Sequence, residues 1–287
     1  MSNDAPNWFV TQYNARAFHI YQAKGFRLAP TVTPAGRIEG EKAIFWKAGA
    51  GTARKKTRGQ RAVPMNAERK KVEAILSTWE AFDTVEEYDL DRMSVNEREI
   101  VAETGAMALG RAVDQQIMTR LNTDAAATGT ALYLNQAGNP FTLVHALTMC
   151  KMLQTSIKKW DGTVYCPLPA LLWNQLLSYK QVNSSDHVGT DLPFVKATDT
   201  RFWNGVNWFL FPDEFFPVPS ANNFDIFMYS RDAAGWGNHT EIRSIWAWDN
   251  YESWWTVNMQ SKGADVTLQA EGIVRGRFAS NAAITLN

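Results

Sequence analysis

The chain has 287 residues, of which 45% are apolar and 20% are charged, as in globular proteins with a sizeable core. Bases and acids number 29 each, and this zero net charge argues against a protein that coats free nucleic acid. The only cysteines, Cys150 and Cys166, exclude a disulfide scaffold and favour a reducing compartment. We find no secretory signal pattern and no apolar run of about 18 residues, so we expect no contact with a membrane.

A strongly basic segment follows an irregular N-terminal stretch. From Arg37 to Lys71 there are eleven bases and three acids, a local net charge of +8. Glycines interrupt the middle of the segment, and apolar residues flank it on both sides. This pattern predicts an extended hairpin with a flexible, basic tip. The bases of the tip are Arg54, Lys55, Lys56, Arg58 and Arg61.

An acidic segment comes directly after the basic one. Between Val72 and Asp91 there are seven acids and no base. Two interpretations remain open: two solvated faces, or complementary patches that meet between neighbouring copies of the chain. In the second interpretation, the basic tip of one copy contacts an acidic block on the next. That block consists of Glu80, Asp83, Glu86, Glu87 and Asp89.

The clearest helix is predicted over Val95–Asn122. Ser94 and Glu97 form a capping box, and apolar residues then recur at steps of three and four. At about 1.5 Å per residue, such a helix is roughly 42 Å long. Gly105 and Gly110 weaken it, and we therefore expect another backbone to pack closely against them.

Further helices and strands follow in an order typical of an α+β fold. A second helix is predicted from Pro140, capped by Asn139, to a stop at Gly162, and a third helix starts near Pro169. Asn204-Gly205 predicts a hairpin turn. Strands are predicted over Thr163–Cys166, Phe224–Ser230, Glu241–Asp249, Trp254–Gln260 and Asp265–Phe278.

No pattern of catalytic, cofactor-binding or metal-binding residues is present. The glycine run from Ala48 to Thr52 lacks the G-x-x-x-x-G-K-[ST] pattern of a phosphate loop. The four histidines are scattered, and Cys150 lies on the apolar stripe of a predicted helix, which favours a buried thiol. We therefore expect no enzyme activity, no cofactor and no metal.

Twelve tryptophans are an unusual number for this length, and most of them lie after Thr200. They fit either a platform that stacks sugars or bases, or packing in cores and subunit contacts. Trp246 and Trp248 flank Ala247, which places both on one face of a strand and favours burial.

The order of these elements resembles the major capsid proteins of tailed bacteriophages, which have the Hong Kong 97 fold. The segment Leu109–Ile117 is similar to the spine helix of that family. The segment Ile242–Phe278 is similar to its closing sheet and its P-loop, a turn made here by Asp249, Asn250, Tyr251 and Glu252.

The resemblance implies a division of the chain into parts. They are an N-terminal arm over 1–36, an extended E-loop hairpin over 37–71, a peripheral domain with the spine helix over 72–128, an axial α/β domain over 129–238 and a return to the peripheral β-sheet over 239–287.

The resemblance also implies a structural subunit of the virion that assembles in the host cytoplasm. Copies would form hexamers and pentamers of an icosahedral shell around double-stranded DNA, held without sequence specificity. A separate scaffolding protein, a portal and decoration proteins are the implied partners. Two alternatives remain: a subunit of an encapsulin-type compartment, and a Trp-rich module that binds glycans or nucleic acid.

Overall fold

The computed structural model describes residues 25–86, 97–127, 132–157, 163–183, 199–218 and 222–284. This part of the chain forms four α-helices and thirteen strands. The helices are α1 (Glu97–Ala127), α2 (Leu143–Ser156), α3 (Ala170–Leu177) and α4 (Lys180–Asn183). The strands are β1 (Thr33–Pro34), β2 (Arg37–Glu39), β3 (Lys42–Ala48), β4 (Arg69–Ile75), β5 (Ser77–Glu86), β6 (Tyr133–Asn135), β7 (Val164–Leu168), β8 (Thr200–Trp203), β9 (Val206–Leu210), β10 (Asn223–Ser230), β11 (Ala234–Asp249), β12 (Trp254–Thr267) and β13 (Ile273–Ala279).

The strands form three sheets. A four-stranded sheet has the order β1-β11-β12-β5, and a six-stranded sheet has the order β6-β13-β10-β7-β9-β8. The third sheet, β2-β3-β4, is the base of the basic hairpin, with β3 and β4 antiparallel over seven residue pairs. The largest core lies between the six-stranded sheet, α1, α2 and α3.

Helix α1 lies across the four-stranded sheet and also reaches the main core. Val113, Ile117 and Leu121 of its predicted apolar stripe are buried. The helix continues to Ala127, so the predicted end at Asn122 is wrong. Burial explains the extension, because Ala125 prolongs the buried apolar stripe, while the Thr123 hydroxyl donates to the Thr119 carbonyl within the helix.

The predicted cap of α2 is also wrong. The Thr142 hydroxyl accepts the His145 N–H at 3.3 Å, and the His145 side chain accepts the Thr142 N–H in return. Asn139 instead closes a turn onto Gln136. The helix ends at Ser156 rather than Gly162, because Ile157 already has extended backbone angles.

The C-terminal strands differ from prediction in their limits. The predicted strand Asp265–Phe278 is two strands, because a 3-10 turn over Ala270–Gly272 separates β12 from β13. The turn at Asn204-Gly205 is confirmed: the two residues have φ of 50° and 76°, as tight hairpins between twisted strands require.

Candidate functional site

The base of the basic hairpin holds its own ion pairs. The Glu73 carboxylate accepts hydrogen bonds from Lys42 at 2.8 Å and from Lys71 at 2.7 Å. The bond from Lys42, followed by that from Lys71, lowers the pKa of Glu73 to about 2. Glu73 therefore belongs to the hairpin, although the sequence places it in the acidic segment. The two charged segments are thus partly interleaved at this point.

The hairpin tip, residues 49–68, differs from the base in its unmatched positive charges, although Glu68 at its end pairs with Lys70. Its five predicted bases are exposed, and none forms an ion pair with an acid in the described residues. Four of these bases line a concavity of about 370 Å³ together with Val63 and Met65. The tip therefore presents positive charge next to exposed apolar side chains. The four are Arg54, Lys55, Lys56 and Arg61.

Strand β5 carries the described part of the acidic block. It is an edge strand of the four-stranded sheet, paired on one side with β12. Glu80 accepts hydrogen bonds from Asn258 and Gln260 of β12, whereas Asp83 accepts the neighbouring Thr84 N–H. Three residues apart on a strand, Glu80 and Asp83 lie on opposite faces, so they do not form one patch.

The rest of the acidic block is less fully described. Glu86 ends β5, while Glu87 and Asp89 lie outside the described residues. Among the described residues, neither a hydrogen bond nor an ion pair joins the tip bases to Glu80 or Asp83 of the same chain. The structure therefore does not bring the two predicted groups together within one subunit.

The turn predicted as the P-loop connects β11 to β12. The Asp249 carboxylate accepts the Tyr251 N–H at 2.9 Å, and the Asp249 carbonyl accepts the Ser253 N–H at 3.0 Å. The Tyr251 side chain is 99% exposed, and Asn250 and Glu252 are exposed beside it. The turn is thus closed by its own hydrogen bonds and presents an aromatic ring to the surroundings.

The C-terminal tryptophans are used mainly in packing. Trp208 and Trp236 belong to the main core. Trp246 and Trp255 pack against a small cluster between the four-stranded sheet and α1 that includes Leu109 and Val257. This arrangement follows the packing interpretation of the sequence, with Trp246 and Trp248 on the same face of β11.

The two thiols are buried, and the His145 side chain is engaged in a hydrogen bond. Burial raises the pKa of the Cys150 thiol to about 11, and burial likewise raises the pKa of Cys166, so both thiols are protonated at neutral pH. His145 belongs to the capping box of α2. Within the described ranges, no three acidic, histidine or cysteine side chains lie close enough to hold a metal ion. None of the helices described combines the length and apolar character needed to span a bilayer.

Sequence reasoning missed three buried carboxylates, those of Asp114, Asp124 and Asp225. Asp225 lies between Arg275 and Arg277 in the six-stranded sheet, and Asp114 accepts two backbone N–H groups on the buried side of α1. The signal for Asp114 was a charged residue between Val113 and Ile117 on an apolar helix face, since such a residue requires buried donors.

Comparisons with known proteins agree on one family. A protein-family model described as "Phage capsid protein" matches residues 5–280, although a search of curated protein sequences found no match to the chain.

Solved capsid structures resemble the whole chain at low identity. The capsid asymmetric unit of cyanophage Pam1 has a TM-score of 0.70 at 10% identity, over 94% of this chain and 96% of that chain. The capsid of Ralstonia phage GP4 gives 0.70 at 10% identity, over 93% and 94%. A structure of Mycobacterium phage Che8 gives 0.65 at 12% identity, over 94% and 96%.

These likenesses confirm the α+β fold of the Hong Kong 97 type, and the family match selects a structural role over an enzymatic one. The chain therefore belongs to the phage capsid protein family, as a major capsid protein whose copies assemble into the icosahedral shell of the virion.

Proposed function

We propose that subunits join into hexamers and pentamers when the hairpin tip of one copy lies against strand β5 of a neighbour. The observation that carries this proposal is the contrast within the hairpin: Lys42 and Lys71 near its start and end pair with Glu73, whereas the five tip bases have no acid partner in the described residues. A neighbouring subunit can supply the missing partners.

The shape of the hairpin supports a contact between subunits. At about 3.3 Å per residue, the seven residues of β3 span about 23 Å, and the tip extends beyond them. Hydrogen bonds between β3 and β4, and one from Gly49 N–H to the Glu68 carbonyl, make this arm stiff. A stiff arm carries its charges away from the acids of its own subunit.

The same proposal gives the predicted parts their roles. The hairpin acts as the E-loop over 37–71, α1 as the spine helix of the peripheral domain over 72–128, and the six-stranded sheet as the centre of the axial domain over 129–238. Within the remainder, 239–287, β11 and β12 return to the peripheral four-stranded sheet, whereas β13 pairs with β10 in the six-stranded sheet. The 1–36 region is the N-terminal arm. The turn from Asp249 to Glu252 acts as the P-loop, where Tyr251 is available for contact with another subunit.

Electrostatic contacts of this kind are weak individually. An exposed ion pair contributes about 1 kcal/mol or less, so closure depends on many repeated contacts. Screening acts over about 8 Å at an ionic strength of about 0.15 M, and the yield of shells should therefore fall as salt is raised above that value.

Charge reversal at the tip tests the contact. Lys55→Glu with Arg58→Glu should leave the subunit folded, as judged by circular dichroism, and prevent shell closure in electron micrographs. Lys151→Glu with Lys180→Glu makes the same change in charge on exposed sites of α2 and α4 and should leave closure intact. Normal closure by the tip variant at low salt would refute the proposal.

Compensating reversals identify the face of β5 that is used. Because Glu80 and Asp83 lie on opposite faces, Glu80→Lys and Asp83→Lys are each combined separately with the tip variant. Restored closure by one of them assigns the contact to that face. Glu86→Lys with Glu87→Lys is combined with the tip variant in the same way. If none of these combinations restores closure, the tip contacts another part of the neighbour.

The enclosed cargo and the other components of the particle complete the proposal. Double-stranded DNA is packaged without sequence specificity, a separate scaffolding protein guides assembly in the host cytoplasm, and a portal and decoration proteins join the shell. The membership of the phage capsid family supports these roles. Mass spectrometry of assembly intermediates and finished particles tests them, because the scaffolding protein should be present only in the former.

A further inference from the structure

One segment of the chain contacts all three sheets and α1. Residues Gly25–Gly36, which we call the strap, begin against the middle of α1. Farther along, the Thr31 hydroxyl lies 2.6 Å from the Tyr229 hydroxyl of the six-stranded sheet, and β1 pairs with β11 of the four-stranded sheet. At its end the Gly36 N–H donates to the Ile44 carbonyl of the hairpin. A shift of the strap therefore affects every layer of the subunit.

The strap is held on α1 by three successive peptide groups. The Phe26 N–H donates to the Gly110 carbonyl at 3.2 Å. The Arg27 and Leu28 N–H groups donate to the two carboxylate oxygens of Asp114, at 3.2 and 3.0 Å. Gly110 and Asp114 are four residues apart, which places them one above the other on the same side of the helix.

The backbone of the strap is bent to reach these acceptors. Gly25 and Phe26 both have left-handed angles, with φ of 75° and 55°. Such angles are unfavourable for a bulky residue like Phe26, so its surroundings must hold it in place. A Cβ atom at Gly25 would overlap the backbone of Gly110, and only glycine allows this approach.

Asp114 is a buried group whose hydrogen bonds are made by the strap. Its side chain lies in the interior, where burial raises its pKa while the Leu28 and Arg27 N–H groups act in the opposite direction. A buried carboxylate needs donors, and both of its oxygens receive them from the strap. The strap thus supplies the N–H donors that the buried carboxylate needs, and the helix supplies acceptors for the N–H groups of the strap.

We propose that Gly110 and Asp114 are a docking site for the strap, and that the docked strap sets the orientation of the hairpin for shell assembly. Asp114 is then a positioning residue: it touches no neighbouring subunit in this role, but it fixes the segment that leads into β2. The part of this inference that concerns assembly rests on the proposed contact between the hairpin tip and a neighbour.

Two isosteric substitutions on the same helix test the docking site. Asp114→Asn replaces an accepting oxygen with a donor and should speed hydrogen exchange of the Arg27 and Leu28 amides by about tenfold or more. It should also reduce the yield of closed shells severalfold, while circular dichroism remains that of the parent. Asp124→Asn is the matched control, because Asp124 is also buried on α1 but its side chain hydrogen-bonds Thr267 of β12 rather than the strap. The control should leave both measurements near those of the parent.

The results separate this inference from the proposed function. Lys55→Glu with Arg58→Glu should block closure and leave exchange at Arg27 and Leu28 unchanged. Unchanged amide exchange in Asp114→Asn, or shells of normal yield and diameter despite faster exchange, would overturn the proposal. If Asp114→Asn does not fold, exchange in the parent protein decides: the Phe26, Arg27 and Leu28 amides should be protected together with those of α1, and rapid exchange there would refute docking.

Discussion

At the scale of single residues, the six-stranded sheet contains a buried carboxylate with two cationic partners. The Asp225 side chain has no exposed surface, and it accepts hydrogen bonds from Arg275 Nε at 3.0 Å and from Arg277 Nε at 2.8 Å. Both guanidinium groups also lie over the Tyr133 ring, 5.0 and 5.7 Å from its centroid. Removing the carboxylate would leave two partly buried cations without their counter-charge.

Asp225→Asn should therefore lower the free energy of unfolding of the unassembled subunit by about 3–5 kcal/mol. Asp199→Asn is the control, since its ion pair with Arg27 is largely exposed, and it should cost about 1 kcal/mol or less. Thermal or denaturant unfolding of both variants provides the measurement. Equal effects of the two substitutions would show that burial of the Asp225 cluster does not increase its contribution to the free energy of unfolding.

At the scale of elements, the hairpin combines a paired base with an exposed tip. A protease specific for lysine and arginine should cut quickly between Arg54 and Arg61 in free subunits, where the tip has little apolar surface to bury. In closed shells the same sites should be cut slowly, because the proposed contact places a neighbouring subunit over them. Lys42 and Lys71 in the paired base serve as internal controls and should resist in both states. Identical cleavage rates at the tip in both states would contradict a covered tip.

Local signals predicted those elements whose pattern is confined to neighbouring residues. Apolar spacing predicted α1, and Asn204-Gly205 predicted its hairpin. The start of β11 was missed because Gly235 and Gly237 are poor strand formers. Glycine is needed at both positions because of contacts with distant residues: a Cβ atom would meet the Phe45 ring at Gly235 and the Ala43 side chain at Gly237. Such contacts join residues almost two hundred positions apart and leave no local pattern.

The same distinction applies to the candidate sites. The tip bases could be identified from the sequence because a run of exposed charge needs no tertiary partner to be recognised. Asp114 could not be assigned its role, because its donors are peptide groups 86 and 87 positions away. Backbone donors carry no residue-specific signal, so only the folded chain shows where they lie.

At the scale of the whole molecule, the balance of charge bears on how the proposed DNA cargo would be held. A subunit with no net formal charge does not neutralise phosphates in bulk, so enclosure rather than tight binding should retain the genome. Purified particles should protect DNA from a nuclease, and the DNA should become digestible once the shell is disrupted. Subunits released from the shell should bind duplex DNA weakly and without sequence preference. Particles whose DNA is digested without disruption would contradict enclosure.

The contact between the strap and α1 also bears on how far such a sequence can diverge. On the strap side all three hydrogen bonds come from peptide groups, which every residue except proline provides. The close approach to Gly110 constrains Gly25, and the bonds constrain Asp114, but the peptide donors themselves accept many residue types at Arg27. Structures that share only 10% identity with this chain still superimpose with a TM-score of 0.70. Recognition through the backbone is one physical means by which a fold persists while most of its side chains are replaced.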